Sequence, residues 1–246
     1  MASAPGYTAL LPPQPDADIG REWILVRFDD GRSEQLALHE YDRLYAIPGL
    51  YEEIVQVHLD CRSPGVIASL LAAAVGRVGL TATDVRALDI GAGNGISGEA
   101  LAAEGIQPVL ATDVLASARD AALRDRPGLY HAYLVTDLLE LSSEQAEAIR
   151  ELQCSALVCV APVGRGPQHV PPEAIAAACA LLGSDALMAY MRDADDQPDA
   201  LTSEIMAARV PGFTQLQELE RRRYVHRRTV NGEPILMDAV ISRVLR

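Results

Sequence analysis

From residue 85 onward, short apolar stretches alternate with segments whose apolar residues recur at helical spacing. The apolar stretches predict strands at residues 85–90, 108–112, 130–136, 156–161 and 186–191. The intervening and following patterns predict helices at 97–104, 117–124, 143–152, 172–182 and 199–209. This alternation indicates an α/β protein with a parallel sheet that helices cover on both faces.

The pattern changes at both ends of the chain. Apolar segments at 216–228 and 235–244 flank Asn231-Gly232, so the sheet is expected to finish with an antiparallel pair of strands. Near the start, segments 22–28 and 33–38 flank a turn that contains Gly31, which predicts a β-hairpin. A helical pattern then runs from 40 to 59 with a break near Pro48-Gly49.

A new helix is predicted to begin at Ser63-Pro64, since proline is favoured in the first turn of a helix. The proline-rich segment before residue 19 predicts an extended arm. We therefore divide the chain into an arm at 1–18, a hairpin and helical cap at 19–62, and the main α/β domain at 63–246.

Composition narrows the chemistry. The 246 residues include 34 acidic and 21 basic ones, a net charge of −13, and every basic residue is arginine. Without lysine there is no Schiff-base amine and no phosphate-loop lysine. The chain has no run of 18 apolar residues and no secretory signal pattern, and its four cysteines form no CxxC pair. We expect a cytoplasmic protein with free, buried thiols, no bound metal and no membrane contact.

The strongest local signal is Asp89-Ile90-Gly91-Ala92-Gly93-Asn94-Gly95, which follows an apolar strand and precedes a helix. Glycines at alternate positions let the backbone turn tightly and approach a ligand closely. Residues 93–98 also satisfy the dinucleotide pattern GxGxxG, which keeps a dinucleotide site as an alternative. The register that starts at Gly91 is preferred because it places an aspartate two residues earlier, where a negative charge suits a cationic ligand.

This motif resembles motif I of the class I S-adenosylmethionine-dependent methyltransferases, acidic-x-Gly-x-Gly-x-Gly, and the resemblance covers about residues 64 to 246. It implies a Rossmann-like sheet of seven strands with an antiparallel last strand. Asp113 and Asp137 end the next two predicted strands, each 24 residues after the previous aspartate. The resemblance implies that they contact the ribose hydroxyls and the adenine amino group of the cofactor.

The resemblance also implies the remaining cofactor contacts. The segment with Tyr41, Tyr45 and Tyr51 looks like the N-terminal segment that closes over the cofactor in many small-molecule methyltransferases, a layout similar to bacterial proteins of undefined substrate. The implied site consists of Asp89, Gly91, Ala92, Gly93, Gly95, Asp113, Val114, Asp137, Leu138, Ala161, Tyr41, Tyr45 and Tyr51. It would bind S-adenosylmethionine and release S-adenosylhomocysteine.

The acceptor is less defined. The loop after the fourth predicted strand lacks the motifs of adenine or glutamine amino-group, cytosine C5 and metal-dependent catechol methyltransferases. His169 and Asp193 follow predicted strands and are the candidate catalytic bases. Arg165 could hold a substrate carboxylate.

We expect methyl transfer to an O or N atom of a small molecule. The alternatives are a non-catalytic module that binds S-adenosylmethionine or a partner subunit, and an RNA methyltransferase. The arginine run at 221–228 is interpreted mainly as a solvated strand, which disfavours nucleic acid as a partner. A homodimer, with a second copy of the chain as partner, is kept as an alternative.

Overall fold

A computed structural model describes residues 6–14, 18–163, 169–183, 185–194, 197, 200–207 and 215–245. Its N-terminal part is a three-stranded antiparallel sheet, with β1 (Tyr7–Leu10) and β3 (Ser33–Ala37) on either side of β2 (Trp23–Phe28). The predicted hairpin corresponds to β2 and β3. Strand β1 lies inside the segment predicted as an extended arm, and it forms because Tyr7 and Ala9 alternate with exposed residues and are buried.

The cap segment, residues 41–62, follows this sheet. It contains α1 (Tyr41–Ala46) and a π-helix (Glu52–His58), separated by Gly49 at a φ of +76°. Leu44, Leu50 and Ile54 are fully buried, and they pack against the three-stranded sheet. The predicted break in the helical pattern is therefore present.

The main domain is built on one seven-stranded sheet in the order β6–β5–β4–β7–β8–β10–β9. Its strands are β4 (Arg86–Ile90), β5 (Gln107–Asp113), β6 (Ala132–Val135), β7 (Ala156–Pro162), β8 (Leu187–Asp193), β9 (Gln215–Arg228) and β10 (Pro234–Leu245). Neighbours among β4 to β8 pair in parallel, whereas β10 is antiparallel to both β8 and β9. The predicted fold class is confirmed.

Helices cover both faces of the sheet. They are α2 (Ser63–Arg77), α3 (Ile96–Ala103), α4 (Ala116–Asp125), α5 (Ser143–Glu151), α6 (Pro172–Cys179) and α7 (Ala200–Ala207). Successive residues of β4 point to opposite cores: Ala87 packs with the apolar residues of α2, and Leu88 packs with those of α6. Burial on both faces explains the continuous apolar character of the central strands.

The last two strands connect the main domain to the N-terminal sheet. The buried carboxylate of Glu22 accepts hydrogen bonds from Arg227 Nη2 at 2.7 Å and from the backbone N of Val230 at 2.7 Å. Gln14 and Asn231 exchange two hydrogen bonds, of 3.0 and 2.7 Å. The N-terminal sheet is thus fastened to the β9–β10 hairpin.

The arginine run at 221–228 is solvated in part, as predicted: Arg222, Arg223 and Arg228 are exposed. Arg227 differs because it is buried against Glu22, and both Arg221 and Arg223 bind the buried carboxylate of Asp238. Paired guanidinium groups offer less charge to an external anion than solvated ones do.

No single helix in the described ranges has the length and apolar character that a membrane span needs. By those two criteria alone, the π-helix and α2 pass as a pair, joined by a bend of 70°.

Candidate active site

A cavity of about 850 Å³ lies between the carboxyl ends of the central strands and the cap segment. Ligands of open α/β sheets bind at this edge of the sheet. Among the residues predicted from sequence, those that line the cavity are Tyr41, Tyr45, Tyr51, Gly91, Ala92, Gly93, Asp113, Val114, Ala161, His169 and Asp193. Asp89, Gly95, Asp137 and Leu138 do not line it. Arg165 lies outside the described residues.

The glycine loop, residues 91–95, connects β4 to α3. Gly91, Gly93 and Gly95 all have positive φ angles, of +62°, +55° and +87°, which side-chain-bearing residues rarely adopt. A Cβ atom on Gly91 would lie 3.3 Å from the Cβ of Ala161 at the end of β7. The loop is therefore a tight turn pressed against the neighbouring strand, as its sequence predicts.

Gly93 makes room for a tyrosine of the cap. A Cβ atom on Gly93 would overlap the hydroxyl of Tyr45, and the Gly93 carbonyl accepts a hydrogen bond of 2.7 Å from Tyr133. Gly95 is the residue before α3, and a Cβ atom there would lie 3.2 Å from Arg126 and 3.3 Å from Tyr130. The sequence interpretation assigned the space beside these glycines to a ligand, whereas the protein's own side chains fill it at both positions.

Asp113 ends β5 on the cavity wall. Its Oδ2 accepts a hydrogen bond of 3.0 Å from Gly93 N, and its Oδ1 accepts one of 3.0 Å from Leu115 N. Burial raises the pKa of this carboxyl above its ordinary value, while these backbone N–H groups favour the charged form. Each oxygen keeps a second lone pair, so Asp113 can also accept hydrogen bonds from a diol placed in the cavity.

Asp89 is fully buried behind the loop. Its Oδ2 accepts hydrogen bonds of 2.5 Å from Ser97 Oγ and 2.6 Å from Tyr130 OH, and its Oδ1 has no partner among the described residues. Burial raises the pKa of Asp89 from 3.8 to about 6. Ser97 lines the cavity and Asp89 does not, so the hydrogen bond from Ser97 connects Asp89 to the cavity wall.

The raised pKa of Asp89 predicts a pH-dependent stability. Folding favours the protonated carboxyl, so the contribution of Asp89 to the free energy of unfolding decreases as pH rises from about 4 through about 6. The pKa difference corresponds to at most about 3 kcal/mol. In urea unfolding without ligand, the free energy of unfolding of Asp89→Asn should equal that of the parent protein near pH 4. At pH 7.5 it should exceed that of the parent by about 1–3 kcal/mol. A difference that is the same at both pH values would contradict this assignment.

The structure does not bring Asp137 and Leu138 to the cavity. The carboxylate of Asp137 is exposed and accepts a hydrogen bond of 2.9 Å from Leu139 N, and Leu138 packs into the core between sheet and helices. Asp137 therefore stabilises the turn after β6. The even 24-residue spacing identified the strand end correctly but not the direction of its side chains.

The tyrosines of the cap form an aromatic cluster over the glycine loop. The ring centroid of Tyr45 lies 6.1 Å from that of Tyr41 and 4.8 Å from that of Tyr51. Burial raises the pKa of all three hydroxyls, so the cluster presents uncharged aromatic rings to the cavity.

Polar contacts hold the cap on the main domain. Arg126 Nη1 donates hydrogen bonds of 2.6 Å to Glu52 of the π-helix and 3.2 Å to the carbonyl of Asn94, and Asn94 also binds Glu52 at 3.1 Å. Ser117 Oγ donates to Asp42 of α1 at 2.6 Å. The glycine loop and the cap are thus joined through the side chain of Arg126.

Replacing Arg126 with alanine should loosen this connection. The arginine side chain is 11% exposed, and its removal takes one of two donors from the carboxylate of Glu52 and the arginine donor from the carbonyl of Asn94. We expect Arg126→Ala to lower the free energy of unfolding by about 1–3 kcal/mol. Arg119→Ala in α4 is the matched control, since the Arg119–Asp120 pair is exposed. We expect it to change the free energy of unfolding by less than about 0.5 kcal/mol. Equal losses in chemical denaturation would refute the special role of Arg126.

Three histidines also line the cavity, namely His39, His169 and His226. The Nδ1 atom of His169 is buried without a partner among the described residues, and Asp193 is exposed at the end of β8. The sequence did not single out His39 or His226. His226 lies within the arginine run on a strand, where no loop or strand-end signal marks it.

The described residues fit a cationic nucleoside cofactor better than a phosphate-bearing one. They supply an acceptor carboxylate at Asp113, a buried carboxylate with an unpartnered oxygen at Asp89, and a glycine turn before α3. Two carboxylates near the loop oppose the binding of phosphates. Within the described part of the chain, no group of three or more acidic, histidine or cysteine side chains could hold a metal ion.

Comparisons with known proteins give a match at the level of the fold. No family model and no curated protein matches the chain. A proposed RNA methyltransferase from Pyrococcus horikoshii is 17% identical, with 76% of this chain and 88% of that protein covered at a TM-score of 0.52. The 1,6-didemethyltoxoflavin-N1-methyltransferase of Burkholderia thailandensis, solved with 1,6-didemethyltoxoflavin and S-adenosylhomocysteine, is also 17% identical at a TM-score of 0.52, with 96% and 99% covered. The chain has the fold of class I S-adenosylmethionine-dependent methyltransferases.

Proposed function

We propose that this protein transfers a methyl group from S-adenosylmethionine to an O or N atom of a small molecule. The observation that carries the proposal is one cavity shared by two unlike walls. The glycine loop and Asp113 form the first wall, and the histidines with Asp193 form the second. A cofactor on the first wall and an acceptor on the second would lie within one cavity.

When bound, S-adenosylmethionine supplies a methyl group on a positively charged sulfur that an acceptor lone pair can attack. Asp113 would accept hydrogen bonds from the ribose hydroxyls, and Asp89 would favour the positive charge. The uncharged tyrosine cluster would exclude water above the loop. Transfer then depends mainly on holding acceptor and cofactor in line.

Three features support a small acceptor. The cavity volume of about 850 Å³ is within the range of small-molecule sites. The cap, which lines part of the cavity, is bonded to the glycine loop through Arg126. The likeness to the Burkholderia enzyme extends over the N-terminal part of the chain as well as the main domain.

Calorimetric titration with S-adenosylmethionine, S-adenosylhomocysteine and NADH tests the cofactor. We expect saturable binding of the first two and none of NADH. A following screen of small acceptors with radiolabelled cofactor, with 1,6-didemethyltoxoflavin among them, tests turnover. Binding of NADH alone would indicate a dinucleotide site, and cofactor binding without turnover on any acceptor would favour the non-catalytic module.

A further inference from the structure

Strand β10 stops pairing with β8 at the pair Met237–Asp193. Strands β9 and β10 continue beyond it as a two-stranded ribbon, residues 224–237. The ribbon contributes His226, Arg227, Ile235 and Met237 to the cavity. It lies on the side of the sheet away from Asp113, since β9 is the edge strand opposite β6. A group on the ribbon therefore faces the acceptor half of the cavity.

A β-bulge sets the direction of His226. The register passes from Arg227 opposite Ile235 to Val225 opposite Leu236, so His226 is the extra residue of β9. Bulges redirect a side chain and are frequent beside active sites. The carbonyl of His226 accepts a hydrogen bond of 2.8 Å from Arg62 N at the end of the cap segment, which keeps the bulge in place.

The imidazole is held from one side. Its Nδ1 lies 2.6 Å from Ser63 Oγ, and Ser63 Oγ lies 2.6 Å from Tyr224 OH. Tyr224 OH in turn can donate to Met191 Sδ at 3.9 Å. In one arrangement of these hydrogen bonds, Nδ1–H donates to Ser63, Ser63 donates to Tyr224 and Tyr224 donates to Met191. Each of the three protons then has an acceptor. In this tautomer, with the proton on Nδ1, the other ring nitrogen, Nε2, is an acceptor, and it has no partner among the described residues.

The surroundings of His226 carry little net charge. The neighbouring guanidinium of Arg227 is paired with Glu22 at 2.7 Å. Burial raises the pKa of the Cys61 thiol, whose Sγ lies 3.9 Å from His226 Nδ1, and burial lowers the pKa of His39. Burial, with the nearby Arg227, lowers the pKa of His226 to about 4. The imidazole is therefore neutral near pH 7 and acts as a hydrogen-bond acceptor.

We propose that His226 Nε2 accepts a hydrogen bond from the N–H of a flat, uncharged heterocyclic acceptor, with Ser63 and Tyr224 as positioning residues. This inference deepens the proposed function and rests on it. The guanidinium beside His226 is already paired with Glu22, so this part of the cavity offers no free cation to an anionic acceptor. The aromatic rings that line the cavity suit a planar ligand. The hydrogen bond would aim the nucleophilic face of the heterocycle at the methyl group.

A matched pair of probes tests this contact. Lumazine carries ring N–H groups, and 1,3-dimethyllumazine has the same ring system without them. In calorimetric titrations with S-adenosylhomocysteine present, lumazine should bind the parent protein at least tenfold more tightly than its dimethyl analogue. Equal affinities, or no binding of lumazine, would overturn the proposal.

Two substitutions separate the roles of the ring nitrogens. The amide of Gln in His226→Gln can replace Nε2, whereas the amide of Asn in His226→Asn can replace only Nδ1. We expect His226→Gln to keep most of the lumazine affinity and His226→Asn to lose at least tenfold. Parent-like affinity in His226→Asn would refute the contact.

Independent readouts distinguish the possible failures. Ser63→Ala and Tyr224→Phe should shift the ¹⁵N resonances of His226 towards the other tautomer, an effect that loss of packing alone does not produce. Binding of S-adenosylhomocysteine should be equal in the two His226 variants, in Ser63→Ala and in Tyr224→Phe, because the ribbon side of the cavity is remote from Asp113. Failure of the parent to bind S-adenosylhomocysteine would count against the proposed function, whereas its binding without lumazine would count against His226 alone.

Discussion

Asp113→Ala should weaken the binding of S-adenosylmethionine and S-adenosylhomocysteine by about 10- to 100-fold, because hydrogen bonds to a charged group contribute roughly 1.5–3 kcal/mol. Two effects combine in this variant. In the proposed complex the ribose hydroxyls would lose their acceptor, and the backbone N–H groups of Gly93 and Leu115 lose theirs. The glycine loop is then less well ordered before the ligand arrives. Calorimetric titration of both ligands measures the loss.

Asp137→Ala is the matched control. Both aspartates follow parallel strands of the same sheet, but Asp137 is exposed and bonded to its own turn. We expect its replacement to change cofactor affinity by less than about twofold, since it removes no cavity contact. Equal losses in the two variants would show that the adenine contact implied by the family resemblance is present after all.

Gly93→Ala should cost about 2–5 kcal/mol of folding free energy. The residue would have to keep a φ of +55°, which costs a side-chain-bearing residue roughly 1–2 kcal/mol. Its methyl group would also overlap the hydroxyl of Tyr45, and overpacking adds about 1–3 kcal/mol. Urea denaturation without ligand measures the total.

Two further variants separate these costs. Gly79 has a φ of +79° with open space where a Cβ would lie, so Gly79→Ala isolates the backbone cost of about 1–2 kcal/mol. Adding Tyr45→Phe to Gly93→Ala removes the overlapping hydroxyl and should recover part of the loss. If Gly79→Ala and Gly93→Ala are equally destabilised, Tyr45 does not crowd the loop as described.

The fold was predictable because its signals are local. Alternating apolar and helical segments identified the five parallel strands, and Asn231-Gly232 identified the antiparallel ending. The glycine loop was equally visible, since positive φ angles at three alternate residues leave glycine as the residue of choice. Each of these features depends on residues within a few positions of one another.

The rest of the candidate site depends on contacts between distant segments. Whether Asp113 or Asp137 faces the cavity is decided by how each strand ends against its neighbours. His226 reaches the cavity through a bulge whose carbonyl is bound by Arg62, 164 residues earlier in the chain. Strand β1 was missed because its two buried residues lie in a proline-rich segment. None of these contacts between distant segments produces a periodic pattern in the sequence.

The buried pair of Glu22 and Arg227 has a consequence for the order in which the protein matures. Its partners are 205 residues apart, so during synthesis Glu22 has no ion-pair partner until Arg227, near the end of the chain, has left the ribosome. The central parallel strands can form earlier, since domains begin to fold as they emerge. The ribbon side of the cavity is completed only when residues 226–231 arrive, so an unfinished chain has a glycine loop but lacks part of the cavity lining.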